Sequence, residues 1–462
     1  MPSFASNATI TLSLDADDIV SFSGDARYTL NPTAGSQSTS TTTGQQTFGP
    51  YKQYVTLVFV TTTAGSYTQS SDVSANAVAR LFTDASGNSV GVTSPTGASY
   101  SSFGLANATD ANTRFVKRMK GRVLSGSGRG RILPIGDSTT ASAGAATGTT
   151  GCVGAFAKSY PTQLAAALTA KGLRASNKSF GGDQSIGSQV TYPQYDPRAT
   201  PAPGVGWSFT LNSLGGNAAY FQGGGAGVLS LTEVCTNFTV YHARGFSSGT
   251  ATVSVDGGGS LGTLSAIGGS DVIGTTFSAG ALGSHIIQIN ASNNGNFVIV
   301  AIVAWDATNT GIDIVQAGAF GVASSFFTAA ANPWNALNAI GYLTPDLTVI
   351  QLGINDIIGS VSPATYGQNL STIAAAAKVS GDVLIMDMLP MSAYPFASQQ
   401  PYINAAIAAA NSNGCMFASV NNRFSNSYTT SNTLGYYYDT LHLLSPGYGM
   451  EADWLAGLIL SI

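Results

Sequence analysis

The chain has 462 residues, which is too long for one compact domain, so two or three domains are expected. Its net charge is −4, from 18 Lys and Arg against 22 Asp and Glu, and it contains no basic run, which excludes nucleic acid as a partner. No stretch approaches about 18 unbroken apolar residues, so no membrane span is predicted. The three cysteines, Cys152, Cys235 and Cys415, are widely spaced and favour neither a disulfide framework nor a metal site.

Residues 1–108 are predicted to form an N-terminal β-rich structural or attachment domain. Short runs of alternating apolar and polar residues at 8–12 and 54–60 indicate strands, and further runs at 79–81 and 89–92 continue the pattern. A stretch rich in Ser, Thr and Gly separates the first two runs, at residues 35–44. No enzymatic motif falls in this part of the chain.

The composition also favours a location outside the cytosol. Charged residues make up only 9% of the chain, against a usual quarter, and 55 glycines suit a β-rich, turn-rich architecture that faces the exterior. The first twenty residues lack a basic segment followed by an apolar run, so no signal peptide is predicted. A composition suited to the exterior without a predicted signal peptide fits a virion tail component released by lysis. An exported chain shown without its leader would look the same.

Helical and strand patterns alternate on both sides of the middle of the chain. Before it, residues 110–123 and 160–171 have helical spacing, with a short apolar strand at 131–135 between them. After it, the predicted strands lie at 312–315, 347–352, 382–388 and 416–420, and the predicted helices at 334–342, 365–378, 402–410 and 447–460. This alternation predicts an α/β domain with a parallel sheet, built from residues 109–200 and 312–462.

Residues 201–311 differ in character and are predicted to form a β-sandwich inserted into the α/β domain. Short alternating strands at 238–242, 250–256, 285–289 and 297–305 are separated by glycine-rich turns. The aromatic residues Trp207, Tyr220 and Tyr241 suit either of two roles. One role is to stack against a sugar ring, and the other is to pack the core of the sandwich.

Ser138 is a candidate nucleophile because of what precedes it. It follows an apolar strand through Gly136-Asp137, and a nucleophilic serine needs a tight turn after a strand to expose its hydroxyl group. The tripeptide also occurs as an ordinary turn, which is the competing interpretation.

Asp439 and His442 are the candidate partners of this serine. Their spacing lets the carboxylate reach one imidazole nitrogen while the other nitrogen faces the nucleophile. The chain has only three histidines, and His242 and His285 both lie in the inserted domain. If Ser138 is the nucleophile, His442 is nearly the only base available.

A nucleophilic serine also needs donors for the oxyanion. Asn355, within Leu352-Gly353-Ile354-Asn355-Asp356, lies just past a predicted strand and offers a side-chain amide. Gly321 is the favoured backbone donor because it lies 34 residues before Asn355, which leaves room for one helix and one strand. Gly182 is the weaker alternative.

These segments, in this order, resemble the four blocks of the SGNH (GDSL-type) hydrolase family. The likeness covers roughly residues 130–195 and 312–462, and it departs from the family at Gln316, where many relatives carry Asn. The resemblance implies a flavodoxin-like three-layer fold, no metal and no cofactor. It also implies a catalytic Ser138, Asp439 and His442, with an oxyanion hole of Ser138, Gly321 and Asn355.

The splice position resembles that of peptidoglycan and polysaccharide O-acetylesterases with a carbohydrate-binding module inserted between the blocks. The expected activity is therefore removal of small acyl groups, acetyl above all, from an acylated glycan. The alternatives are an esterase acting on lipids or other small esters and a mainly structural, glycan-binding tail protein. A homo-oligomer is expected in the last case, a trimer if the chain belongs to a tail.

Overall fold

A computed structural model describes residues 104–187, 189–201, 206–223, 225–291 and 295–462, together with the backbone of eight strands before residue 72. The chain divides into two compact units, one of Met1–Ala98 with Ser102–Gly104 and one of Ser99–Ser101 with Leu105–Ile462. The strands predicted at 79–81 and 89–92 lie outside the described residues.

The first unit consists of short strands paired into two antiparallel sheets. The strands are β1 (Ser3–Phe4), β2 (Thr9–Leu14), β3 (Asp18–Ser23), β4 (Ala26–Leu30), β5 (Thr39–Thr42), β6 (Gln45–Phe48), β7 (Val55–Thr61) and β8 (Gly65–Ser71). One sheet has the order β1-β8-β3-β6 and the other the order β2-β7-β4-β5. The runs predicted at 8–12 and 54–60 correspond to β2 and β7.

The second unit contains a largely parallel sheet. Its strands are β9 (Leu105–Ala106), β10 (Gly130–Gly136), β11 (Ala175–Ser176), β21 (Ile312–Ile314), β22 (Ala317–Gly318), β23 (Leu347–Gln351), β24 (Asp382–Met386) and β25 (Met416–Ala418). The order is β11-β21-β10-β23-β24-β25-β9, with β22 also paired to β10. The prediction of a wholly parallel sheet is wrong at one edge, because β9 runs antiparallel to β25. β9 also joins this sheet although it precedes residue 109.

Helices connect the strands, and polar side chains cap several of them. They are α1 (Arg114–Leu124), α2 (Tyr160–Ala170), α3 (Tyr192–Tyr195), α4 (Ala336–Leu343), α5 (Ile354–Ile358), α6 (Pro363–Lys378), α7 (Phe396–Ser412), α8 (Val420–Arg423), α9 (Tyr428–Thr433) and α10 (Ser445–Ser461). Ser159 caps α2 by accepting from the Thr162 N–H, and Ser362 caps α6 by accepting from the Thr365 N–H.

Both faces of the parallel sheet are covered. Every residue of β23 and β24 is buried, although successive side chains of a strand point to opposite faces. Helices α2 and α10 pack together, and α6 packs against both α4 and α7. Such burial requires layers on both sides of the sheet, so this part of the unit is α/β, as predicted. Among the described residues, no helix is long and apolar enough to cross a membrane.

The middle of the chain forms an antiparallel sheet of nine strands. They are β12 (Ser179–Phe180), β13 (Ala199–Pro201), β14 (Trp207–Ser213), β15 (Gly216–Phe221), β16 (Gly227–Ala243), β17 (Thr250–Val255), β18 (Gly262–Ser265), β19 (Val272–Ala291) and β20 (Phe297–Trp305). The hydrogen bonds link all nine strands into one sheet, and they do not confirm the predicted β-sandwich. The long strands β16 and β19 pair from both ends, and a register shift between Cys235 and Asn237 leaves residues 279–282 of β19 without a partner on β16.

The aromatic residues of this sheet pack its interior and its junction with the α/β part. Trp207 is buried and its ring lies 5.6 Å from that of Phe221. Tyr241 is also buried, and its hydroxyl oxygen accepts a 2.7 Å hydrogen bond from Arg131 on β10. Of the two roles open to Trp207 and Tyr241 in the sequence, core packing is the one their burial supports, while Tyr220 is partly exposed.

Candidate active site

The site lies where three neighbouring strands end. Gly136, the last residue of β10, is paired with Gly318 of β22 on one side and with Gln351 of β23 on the other. The segments that follow these strands carry Ser138, Gly321 and Asn355. Because the strands are parallel, their carboxyl ends meet at one edge of the sheet, which is where α/β folds place their ligands.

Two glycines allow these segments to approach each other closely. A Cβ atom at Gly136 would lie 2.0 Å from the Thr140 hydroxyl oxygen and 2.4 Å from the Gln351 carbonyl oxygen. A Cβ atom at Gly318 would lie 2.3 Å from the Ala141 backbone nitrogen. No other residue fits at either place without moving backbone, so the glycines set the tight turn on which the serine sits.

Ser138, His442 and Asp439 form a hydrogen-bonded chain. The Ser138 Oγ atom lies 2.9 Å from His442 Nε2, although the two residues are 304 positions apart. On the other side of the ring, Nδ1 lies 2.8 Å from Asp439 Oδ2. When Nδ1 carries the ring proton and donates a hydrogen bond to the carboxylate, Nε2 carries no hydrogen. It can then accept the proton of the serine hydroxyl.

The two oxygens of the Asp439 carboxylate have different hydrogen-bond partners. Oδ1 accepts from the backbone N–H groups of Leu441 and His442, at 2.9 and 2.7 Å, and Oδ2 faces the imidazole. Burial disfavours the charge, but the hydrogen bond and the charge of His442, together with the two backbone donors, hold the pKa of Asp439 below its usual value. The carboxylate is therefore ionised near neutral pH and fixes the ring.

Asn355 lies in the first turn of α5 with its amide already oriented. Its Nδ2 atom donates to the Val322 carbonyl oxygen at 3.0 Å, which leaves a second N–H on the same nitrogen. The neighbouring Asp356 is buried and accepts from the backbone N–H and the hydroxyl of Ser324, at 3.0 and 2.6 Å. Asp356 thus ties the loop of Gly321 to the helix of Asn355.

The structure places the two candidate glycines differently. Gly321 lines the same cleft as Ser138, Asn355 and His442, and it has a φ of +71°, a conformation that favours glycine. Gly182 is not among the residues that line this cleft, and a Cβ atom there would lie 2.5 Å from the Gly215 carbonyl oxygen. Close packing against the nine-stranded sheet accounts for Gly182.

Gln316, the departure from the family pattern, is buried in a polar network. Its Oε1 atom accepts from Ser159 Oγ at 2.9 Å and from Asn177 Nδ2 at 3.1 Å. Its Nε2 atom donates to the Tyr195 hydroxyl oxygen at 2.8 Å, and that hydroxyl donates to the Ala141 carbonyl oxygen. Gln316 therefore supports the loop that follows Ser138, through the hydroxyl of Tyr195.

The cleft above these groups has a volume of about 390 Å³. Sequence reasoning missed most of its walls, because they come from loops without a motif. Those additional lining residues are Ala143, Thr149, Thr150, Ser185, Gln189, Phe320, Ile354, Tyr438 and Leu441. The Tyr438 hydroxyl donates to the Thr149 carbonyl oxygen at 2.7 Å and so joins two of these loops. Within the described part of the chain, no group of three or more His, Cys, Asp or Glu is placed to hold a metal ion.

Two buried carboxyl groups lie below the nucleophile. Asp137 accepts from the backbone N–H and the hydroxyl of Thr139, but burial raises its pKa to about 6. Glu451 on α10 is fully buried, and neither of its carboxyl oxygens has a hydrogen-bond partner among the described residues. Burial outweighs the opposing effect of the neighbouring Gln351 amide and, with the Asp137 carboxylate adding to it, raises the pKa of Glu451 to about 8.

The Glu451 carboxyl group is expected to make the folded state less stable as the pH rises. Between about pH 4.5 and about pH 8 the folded chain keeps a proton that the unfolded chain has released, so stability falls across this window. The slope from this group is at most about 1.4 kcal/mol per pH unit. The Glu451→Gln variant carries no titrating proton there, and its melting temperature should depend less on pH. Parallel pH curves for the two proteins would contradict this.

The sequence matches no protein-family model and no curated protein. Among solved structures, a peptidoglycan O-acetylesterase is similar to this chain at 18% identity and a TM-score of 0.55, over 78% of this chain and 99% of that one. A Bacillus subtilis protein overlaps 57% of this chain and 86% of its own, at 18% identity and a TM-score of 0.29. A family 2 carbohydrate esterase with a carbohydrate-binding domain, from Myceliophthora fergusii, overlaps 57% of this chain and 98% of its own, at 12% identity and a TM-score of 0.26.

The first of these comparisons carries weight for the fold. At a TM-score of 0.55 the chain shares the architecture of a peptidoglycan O-acetylesterase over most of its length. The predicted resemblance to SGNH carbohydrate esterases is confirmed to that extent. The overlaps with the other two structures are too loose to support an inference.

Proposed function

We propose that this chain is a serine esterase that removes acetyl groups from a glycan. The observation that carries the proposal is the hydrogen-bonded chain from Ser138 through His442 to Asp439, which opens on a cleft shared with Asn355 and Gly321. A hydroxyl paired with an oriented imidazole beside amide donors is the arrangement that acyl transfer requires.

The first half of the reaction forms an acetyl-enzyme. His442 Nε2 takes the hydroxyl proton as Ser138 Oγ attacks the ester carbonyl carbon, and the carbonyl π pair moves onto oxygen. The backbone N–H groups of Ser138 and Gly321 and the free N–H of Asn355 stabilise that charge. The C–O bond to the glycan then breaks, and the imidazolium returns its proton to the sugar oxygen.

The second half releases acetate. His442 takes a proton from water while the water oxygen attacks the acetyl carbonyl carbon on Ser138. The same donors hold the second oxyanion, the bond to Oγ breaks, and Ser138 recovers its proton from His442. Asp439 stays ionised throughout and stabilises the imidazolium that forms in each half.

The lining of the cleft supports a hydroxyl-rich substrate with a small acyl group. Thr149, Thr150, Ser185, Gln189 and Tyr438 supply polar groups suited to a sugar. The apolar residues of the lining are Ala143, Phe320, Ile354 and Leu441, fewer than its polar residues, which favours a short acyl group over a long alkyl chain. The shared architecture with a peptidoglycan O-acetylesterase agrees with the same substrate class.

The substrate assignment is tested by acetate release from a panel of O-acetylated bacterial glycans, peptidoglycan included, with wild type beside Ser138→Ala. Release by wild type alone is expected. A parallel series of p-nitrophenyl esters should show hydrolysis falling from acetate to hexanoate. The alternative assignment, an esterase acting on lipids or other small esters, would be supported by two results together. Ser138-dependent hydrolysis would rise with acyl length, and no acetate would be released from any glycan.

The role of Asn355 predicts a graded loss of activity. Asn355→Ala removes one of the proposed oxyanion donors and should lower kcat about 10²- to 10³-fold. Asn355→Asp should be worse, because it places a carboxylate where negative charge develops. Asn369→Ala is the matched control, since Asn369 donates its amide to Ser324 in the neighbouring loop. Equal losses in Asn355→Ala and Asn369→Ala would contradict the assignment.

A further inference from the structure

The hairpin between β14 and β15 of the nine-stranded sheet is clamped to a loop beside the cleft. The Asp183 N–H donates to the Asn217 carbonyl oxygen at 3.0 Å, and the Gln184 N–H donates to the Gly215 carbonyl oxygen at 2.8 Å. The Asp183 carboxylate accepts from the backbone N–H and the side-chain amide of Asn217, at 2.8 and 3.2 Å. It also accepts from the Ser185 N–H at 2.8 Å.

This clamp leaves no space between the two segments. A Cβ atom at Gly215 would lie 2.1 Å from the Gly181 carbonyl oxygen, and one at Gly216 would lie 2.5 Å from the Ser185 nitrogen. The hairpin therefore touches the backbone of the loop directly, and a shift of either segment moves the other.

The clamped loop holds an uncommon backbone conformation. Gln184 and Ser185 are consecutive and both have a φ of +54°, although neither is a glycine. Such residues cost free energy and persist where the surrounding structure fixes them. Here the Asp183 carboxylate and the hairpin carbonyl of Gly215 supply the contacts that do so.

The strained turn leads directly to the proposed oxyanion hole. The Gln184 carbonyl oxygen accepts from the Phe320 N–H at 2.8 Å, and the Gly136 carbonyl oxygen accepts from the Ala319 N–H at 2.9 Å. The two residues before Gly321 are thus anchored from opposite sides. One anchor is the strand of the nucleophile, and the other is the loop that the hairpin clamps.

We propose that Asp183 and Asn217 are positioning residues that hold the Gly321 N–H in the oxyanion hole, by way of Gln184 and Phe320. This inference rests on the function proposed above. It makes the nine-stranded sheet a working part of the esterase site, because its hairpin fixes the segment that carries a catalytic donor. A misplaced donor lowers the stabilisation of the transition state more than it lowers the affinity for the substrate. The loss therefore appears mainly in kcat.

The test compares two aspartates of the nine-stranded sheet and its clamped loop, each of which accepts backbone N–H groups, in p-nitrophenyl acetate hydrolysis. Asp183→Ala should lower kcat about tenfold or more and change KM less than about twofold. Asp256→Ala is the control, because Asp256 lies in the turn after β17 of the same sheet and also accepts a backbone N–H, that of Ile286, at 2.8 Å. Asp256 does not line the cleft and its variant should keep the wild-type kcat.

A conservative variant separates positioning from general stability. Asp183→Asn keeps an oxygen that accepts from the Ser185 and Asn217 N–H groups, so it should recover most of the lost kcat. Wild-type kcat in folded Asp183→Ala would overturn the inference, as would equal losses in the two alanine variants. If Asp183→Ala does not fold, Asn217→Ala decides, since it removes only the side-chain donor and should lower kcat severalfold. An inactive wild type would instead overturn the proposed function.

Discussion

Alanine at position 138 is expected to lower kcat on p-nitrophenyl acetate by roughly 10⁵- to 10⁶-fold. The substitution removes the hydroxyl oxygen that lies 2.9 Å from His442 Nε2, which is the proposed nucleophile, so no acetyl-enzyme forms. The hydroxyl makes no contact on which the turn depends, because Gly136 and the backbone bond from Ala143 N–H to the Ser138 carbonyl oxygen shape that turn. The melting temperature should therefore stay near that of wild type.

The matched control for this prediction is Ser325→Ala. Ser325 is an exposed serine in the 3₁₀ turn after Gly321, so it lies close to the cleft without lining it. Its variant should keep wild-type kinetics in the same assay. Hydrolysis by Ser138→Ala above about one hundredth of the wild-type rate would show that another group is the nucleophile.

Asparagine at position 439 is expected to lower kcat by about 10⁴-fold. Its side-chain oxygen still accepts from the Leu441 and His442 N–H groups, so the loop keeps its shape. Its nitrogen then faces His442 Nδ1 in place of Oδ2, and two donors cannot share that contact. The ring must place its proton on Nε2, where it can no longer accept the Ser138 proton.

Asp453→Asn is the control for this change. Asp453 lies on α10 and pairs with Lys171 at 3.0 Å, at the surface of the molecule. Its variant should keep full activity and nearly full stability, because exposed ion pairs contribute little. Activity of Asp439→Asn within tenfold of wild type would mean that the Asp439 carboxylate does not set the tautomer of His442.

Much of the α/β part could be predicted from the sequence because burial on both faces leaves a clear pattern. The strands β10 and β23 are short and dominated by apolar residues, and the structure ends them within two residues of the prediction. Helix α2 was predictable from its spacing and from Gly172, which follows it. The residues after these strands could be selected by chemistry, since few histidines and strand-end amides were available.

The long strands of the nine-stranded sheet could not be predicted in full. β19 runs from Val272 to Ala291, but only 285–289 has the expected pattern. Its middle contains the sequence Ser278-Ala279-Gly280-Ala281-Leu282-Gly283, which is typical of a turn. β16 pairs with β19 as far as Ser278 and again from Gly283, so residues 279–282 lie between two paired stretches of one strand. A neighbour about forty residues away in the sequence thus overrides local preference.

The clamp between the hairpin and the cleft loop could not be predicted from the sequence either. Gly182 and Gly216 are glycines because each touches backbone of the other segment, and no local motif reports such a contact. The sequence therefore left Gly182 as an alternative to Gly321 for the backbone donor of the oxyanion hole. Both glycines follow strands, and only the packing of the hairpin separates their roles.

The most direct test of the central claim is covalent labelling with an activated phosphonate ester, followed by peptide mass mapping. The account predicts one adduct per chain, on the peptide that contains Ser138, with loss of activity in proportion to labelling. His442→Ala should label far more slowly, and Ser138→Ala should not label. An adduct on any other residue, or undiminished ester hydrolysis by chains fully labelled at Ser138, would contradict the assignment of Ser138 as the nucleophile.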